Sequence, residues 1–214
     1  ISESPDGVFT AWSNDKYIRG RLVQNKNSTN EPMPPGDMFN DFQSGKMYMI
    51  IDKEKLVIDM APPAFFAGLS GGPESRKVKI QYKNKGSGKT IAGLTTTKYD
   101  IIVEGKKCFE VLLTQDKAYA AEIKKYNSLN TPEADAQNIC EQADNQMDQE
   151  KDAKYGYPVK MTDANGNLQL LLKKFKTNQT APKNYLAFPK GYKVTTMMEA
   201  AGTLMKMQSN NQNN

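Results

Sequence analysis

The chain contains no histidine. Serine–histidine and cysteine–histidine nucleophilic catalysis are therefore excluded, and so are imidazole zinc sites. Arginine occurs only at Arg19, Arg21 and Arg76. The lysines are scattered rather than clustered, so nucleic acid is not expected as a partner. No apolar run reaches the roughly 18 residues of a membrane-spanning helix. The apolar fraction is 38%, below the roughly 45–50% of an average domain. The core must then come from a few strands, with much of the chain solvated.

Cysteine is nearly absent as well. Cys108 and Cys140 allow one bridge, which would pin a helix to a strand, or two separate buried thiols. The chain starts at Ile1 without Met, which raises the expectation of a secreted protein with its signal peptide removed. An oxidising compartment would favour the bridge. Residues 1–7 and 208–214 are polar and are expected to lack order. A single domain is expected over 8–207, with a helical insert at about 116–152.

Net charge is +5, unevenly spread. Residues 131–152 hold seven acids (Glu133, Asp135, Glu141, Asp144, Asp148, Glu150, Asp152) against Lys151, a net of −6, which leaves +11 elsewhere. A solvated helix face beside a lysine-rich sheet accounts for this. An acidic lid on a basic body is the alternative.

The hydrophobic period changes along the chain. Val78, Ile80 and Tyr82 alternate with Lys77, Lys79, Gln81 and Lys83, the pattern of a half-buried strand. Strands are also expected at Val8–Ser13, Lys16–Gln24, Met38–Phe42, Lys46–Asp52, Lys55–Met60, Thr90–Leu94, Thr97–Val103 and Lys107–Thr114. The period then becomes helical over Lys117–Leu129. Thr131-Pro132-Glu133 signals a second helix start, and Ala136, Ile139, Cys140, Ala143 and Met147 form its apolar stripe. Strands resume at Tyr157–Thr162 and Asn167–Lys176, joined by the hairpin signal Asn165-Gly166, and again at Tyr185–Phe188. Thr196–Met207 closes as a helix. Strands, helical insert, strands and helix make an α+β fold built on an antiparallel sheet.

Gly86-Ser87-Gly88-Lys89-Thr90 resembles a phosphate loop. The first glycine of that motif is missing, since Lys83 stands there, and strands flank it, so a hairpin turn is expected. Asp52, Glu54 and Asp59 surround another turn, with nothing to place them in one cleft. No catalytic residue, cofactor or metal site is expected, and the protein is read as a non-enzyme. Methionine is the excess, at eleven residues. Met47 and Met49 have the spacing of Cu(I)-binding thioether pairs, but methionine more often fills irregular apolar space or lines an apolar cavity. The runs 47–51, 56–58 and 170–172 are apolar on both faces, so both sides of the sheet centre need cover. The Phe65–Leu69 stretch is one expected plug.

Lys89–Leu94, Thr97–Asp100, Phe109–Thr114, Gly156–Lys160 and Phe188–Tyr192 resemble short signatures of an uncharacterised bacterial envelope family. That family is related to the periplasmic lipoprotein-carrier superfold (LolA/LolB-like). The resemblance implies a curved antiparallel sheet, a half-barrel, with helices packed on its concave face and an apolar cavity between. It also implies a periplasmic or outer-envelope location in a bacterium. The expected cavity lining is Met47, Met49, Ile51, Ile58, Val78, Ile80, Tyr82, Ile101, Leu170 and Leu172, with Ile139, Ala143 and Met147 as lid. The expected ligand is a lipid or acyl chain. Peripheral or lipid-anchored membrane contact and an envelope protein partner fit the same picture. The alternative is a non-enzymatic protein- or membrane-interaction module with a filled core.

Overall fold

The computed structural model describes residues 1–5, 7–24, 36–60, 77–127, 138–147 and 150–211, with backbone alone at 126–127, 144–145, 147, 150–152 and 205–211. The expected Phe65–Leu69 plug, the Thr131-Pro132 helix start and, of the seven acidic side chains in 131–152, all but that of Glu141 lie outside the described residues.

Strands dominate. The chain divides into two compact units, the first comprising Ile1–Pro5 and Gly68–Thr177, the second Asp6–Ala67 and Asn178–Asn214. In the first unit the described strands are β1 (Ser2–Ser4), β7 (Ile80–Ser87), β8 (Thr97–Val103), β9 (Lys106–Thr114), β10 (Tyr157–Asp163) and β11 (Leu168–Leu172). They lie in the order β1-β11-β10-β9-β8-β7, antiparallel throughout. Helix α1 (Lys117–Asn127) and helix α2 (Ile139–Met147) belong to this unit.

Alternation along β9 explains how the helices attach. Val111 and Leu113 belong to a cluster with Tyr99, Ile101, Val103, Phe109 and Met161, against which Ile139, Cys140 and Ala143 of α2 pack. Leu112, between them, belongs to a cluster with Tyr157, Val159 and Leu172, joined by Tyr119, Ala120 and Ile123 of α1. Neighbouring strand residues point to opposite faces, so α1 and α2 lie on opposite faces of β9. Ile101, Val103 and Val159 are wholly buried, each stabilising the fold by about 1.5–3 kcal/mol over exposure. A bulge lies at Cys108, because Ile101 pairs Phe109 while Ile102 pairs Lys107. The extra residue lets Cys108 and Phe109 both enter the α2 cluster.

The second unit contains β2 (Gly7–Ser13), β3 (Tyr17–Gln24), β4 (Asp37–Asp41), β5 (Lys46–Ile51), β6 (Leu56–Asp59), β12 (Lys193–Thr196) and helix α3 (Met197–Asn211). The order is β12-β6-β5-β4-β3-β2. All neighbours are antiparallel except β12 and β6, which run parallel. Helix α3 begins with a reciprocal cap: Thr196 Oγ1 accepts from the Glu199 N–H (3.3 Å) and Glu199 accepts from the Thr196 N–H (3.2 Å).

Several expectations are corrected. Residues 2–4 form a strand, with Ser2 and Glu3 opposite Leu172 and Leu171. Helix α3 runs to Asn211, into the tail expected to lack order. Thr90–Leu94 is a tight turn, closed by hydrogen bonds between Ile91 and Leu94 and bent by Ala92 and Gly93 at positive φ. Tyr185–Phe188 is a run of turns, with the Ala187 N–H donating to the Asn184 carbonyl (3.1 Å). The Gly86–Thr90 stretch begins in the last two residues of β7 and leads toward the antiparallel β8, with no helix between them.

Candidate functional site

The two faces of the second unit are chemically different. On one, β4 presents Asp37 and Phe39. The Asp37 carboxylate is wholly buried and accepts from Arg19 Nε (2.7 Å) and from Arg21 Nε. Arg19 also donates to Asp52 (2.7 Å) and stacks its guanidinium over Tyr185, 4.6 Å from the ring centroid. Tyr192 donates to Asp52 (3.1 Å). Two cations and two anions balance, so no net charge is left buried. The Asp37 hydrogen bond pushes the Arg21 pKa up, opposed by partial burial. Burial, then the nearby Asp37 charge, pushes the Tyr185 hydroxyl up. Phe188 packs edge-on against Phe39 and Tyr48 at 5.9 and 5.1 Å. Residues 185–192 thus close this face from within the same unit, and every polar member has a structural partner.

The other face carries methionine. Strand register builds two adjacent rows across it. Gly20, Met38, Met49 and Ile58 face one another in turn across β3, β4, β5 and β6. Beside them lie Ile18, Asn40 and Met47, and the Met60 N–H donates to the Met47 carbonyl (3.0 Å), which sets Met60 next in the row. Cross-strand partners stand about 4.5–5.5 Å apart at Cβ, so these thioethers are near neighbours. Gly20 is required here, since a Cβ would come within 2.9 Å of the Ala11 methyl and closer still to the Phe9 ring. Helix α3 seats Met197, Ala200 and Leu204 against Met49, Ile51, Leu56 and Ile58. Met38, Met47 and Met60 are only half-buried, whereas Met49 is 5% exposed. Asn40 is 5% exposed, and its Oδ1 has no hydrogen-bond partner.

The residues expected to line a cavity fall into separate groups. Val78, Ile80, Tyr82, Ile101, Ile139, Ala143 and Leu170 share the α2 cluster of the first unit. Leu172 belongs to the α1 cluster of that unit. Met49, Ile51 and Ile58 share the α3 cluster of the second unit, and Met47 stands beside them on the same face. The Met147 side chain lies outside the described residues. Cys108 and Cys140 form a disulfide. Met38, Asn40, Met60 and Met197 complete the methionine face and are not among the residues expected to line a cavity. The signal for Asn40 was an amide at an inward position of a short strand, between Met38 and the turn at Asp41. Among the described residues, no group of three or more acidic or cysteine side chains is placed to hold a metal.

Comparison with family models, with curated proteins and with solved structures finds no match to this chain.

Proposed function

We propose that this protein is a non-enzymatic binder of an apolar ligand, a lipid or acyl chain, held on the methionine face of the second unit. The observation that carries the reading is the pair of adjacent rows that brings Met38, Met47, Met49 and Met60 together on one sheet face. Methionine is unbranched and polarisable, and it suits surfaces that adapt to apolar partners. Three of these four side chains are half-buried rather than closed into the core. An acyl chain laid there gains about 0.8 kcal/mol per buried CH₂, and no charged group is needed.

A bacterial envelope location belongs to the same proposal. The disulfide supports it, since such bridges persist in oxidising compartments. The half-barrel with helices in its concave face, and kinship with the lipoprotein carriers, are proposed with it. Helix α3 against Met49 and Ile58 is the support in the second unit. In the first unit the helices divide between two faces, which gives no such support.

A second reading is favoured by a different observation. Ile101, Val103 and Ala143 are 0% exposed, so no water-sized space touches them. On this reading the first unit is a scaffold packed around these side chains, and its function lies in surface contact with an envelope protein or a membrane.

Native mass spectrometry and lipid extraction, on protein purified gently from an envelope fraction, separate the two. The apolar-ligand reading expects a stoichiometric lipid that is lost in Met47→Glu. A clean apo mass, unchanged after incubation with phospholipids and fatty acids, overturns it and leaves surface interaction.

A further inference from the structure

Five lysines of the first unit share one face of its sheet. Strand register sets Lys83, Asp100, Glu110 and Thr162 in one row across β7, β8, β9 and β10. Lys98, Leu112 and Lys160 form the next row. Lys85 and Lys107 join them through Asp100, which Lys107 Nζ meets at 2.8 Å and Lys85 Nζ at 3.7 Å. Tyr99, Ile101 and Val111, which alternate with these residues, face α2 on the other side. The face away from α2 thus sets five lysines against two carboxylates, an excess of three positive charges. The ion pairs engage both acids. Asp100 holds Lys85 and Lys107, and Glu110 holds Lys98 (2.8 Å) and Lys107 (3.8 Å). Lys83 and Lys160 take part in none of these pairs. Lys83 is exposed on β7, and Lys160 is half-buried on β10 with Leu112 and Leu171 as its cross-strand partners.

We infer that this lysine face docks the first unit on an anionic phospholipid bilayer. The inference rests on the surface-contact reading of that unit and commits it to a membrane. From β7 to β10 the lysines spread over three strand spacings, about 14 Å. They cannot close on a single phosphate, and they match an array of anions instead. None of the five is arginine, whose rigid fork reads one fixed phosphate geometry. Lysine is a flexible point charge, suited to headgroups that move laterally. Each lysine near an anionic membrane surface raises affinity roughly fivefold. The opposite face carries α2 with its exposed Glu141, so the unit has one electrostatically favoured side toward a negative surface.

Co-sedimentation of the whole chain with vesicles of phosphatidylglycerol or of phosphatidylcholine tests this. Binding is expected to phosphatidylglycerol only, at low salt, and should vanish at about 1 M salt, where the screening length is about 3 Å. Lys83→Gln/Lys160→Gln should bind about thirtyfold more weakly. Neither side chain belongs to the ion pairs above, so the melting temperature should hold. Should the double variant fold poorly, Lys83→Gln alone should bind about fivefold more weakly. Lys16→Gln/Lys53→Gln removes the same charge from exposed positions of the second unit and should bind as wild type. Equal weakening by the two double variants would assign binding to overall charge and overturn the inference. Equal, salt-insensitive binding to both kinds of vesicle also overturns it, while sparing the apolar-ligand reading. Binding to neither overturns it too, and leaves the surface-contact reading with a protein partner.

Discussion

Cys108 on β9 and Cys140 on α2 are joined by a disulfide, with their Cα atoms 5.3 Å apart. The bridge ties helix α2 to the sheet of its unit at the position of the β9 bulge. It closes a loop of 32 residues, and loop-closure entropy assigns such a loop about 3–4 kcal/mol. Urea unfolding in dithiothreitol, or of Cys108→Ala/Cys140→Ala, should show a loss of that size. Hydrogen exchange should show α2 amides losing protection first. An unchanged urea midpoint would mean that packing of Ile139 and Ala143 holds the helix without the bridge.

The Arg19–Asp37 pair makes a sharper demand. The two side chains are 6% and 0% exposed, so removing one leaves a dry charge. Asp37→Asn is expected to cost about 3–5 kcal/mol. Replacing both by apolar residues, Arg19→Met with Asp37→Leu, should cost less than Asp37→Asn alone. The remaining partners can turn to water, since Arg21 and Asp52 are 54% and 48% exposed. Denaturation of the two variants decides it, and a double variant that loses as much as Asp37→Asn or more would remove the unpaired buried charge as the cause.

Asp100 and Lys107 predict how stability moves with pH. The Lys107 hydrogen bond lowers the Asp100 pKa, opposed by burial. The same bond raises the Lys107 pKa. A depressed carboxyl stabilises the fold above its unfolded pKa, about 3.9, and that stability is lost as pH falls through the folded value. A raised ammonium stabilises below its unfolded pKa, about 10.4, and loses this as pH rises through the folded value. Asp100→Asn should therefore flatten both limbs of a melting-temperature profile. Asp100 is 9% exposed, but its partners Lys85 and Lys107 are 42% and 41% exposed and can turn to water, so the plateau between the limbs should fall only slightly. A profile identical to wild type below pH 4 would dismiss Asp100 as a source of acid sensitivity.

Much of this fold was legible in the chain. The alternation of Val78, Ile80 and Tyr82 found one face of β7, and the doubly apolar run 47–51 has a cluster on each side. Met49 and Ile51 serve the α3 cluster, and Ile50 serves the Phe39 cluster. The parts that stayed hidden depend on partners distant in sequence. β12 is a four-residue strand with one buried residue, Thr195, and exists because Lys55–Asp59 offers an open edge. β1 is Ser-Glu-Ser, with no period to read, and exists because β11 offers another. The bulge at Cys108 and the one at Val159, where Pro158 pairs Leu113 and Lys160 pairs Leu112, shift side chains between faces and defeat a strict period of two. The methionine face was half visible: Met47 and Met49 share a strand, but Met38 and Met60 join them only through register.

The separation of site from core gives the last prediction. Met47 is half-buried on the methionine face, outside the α3 cluster itself, whereas Ile101 is 0% exposed between β7 and β9 in the other unit. Met47→Glu places a charge where an acyl chain is proposed to lie but leaves the closed packing of Met49 and Ile58 in place. Its carboxylate can still reach water, so the melting temperature should drop by only a few degrees, about what 1 kcal/mol produces in a domain of this size. Lipid retention should be abolished. Ile101→Ala deletes wholly buried carbons and should cost about 2–5 kcal/mol, while lipid retention per folded molecule stays as in wild type. Thermal melts and native mass spectrometry on the two variants give opposite patterns if the ligand lies on the methionine face. Loss of lipid in Ile101→Ala with retention in Met47→Glu would move the site to the first unit.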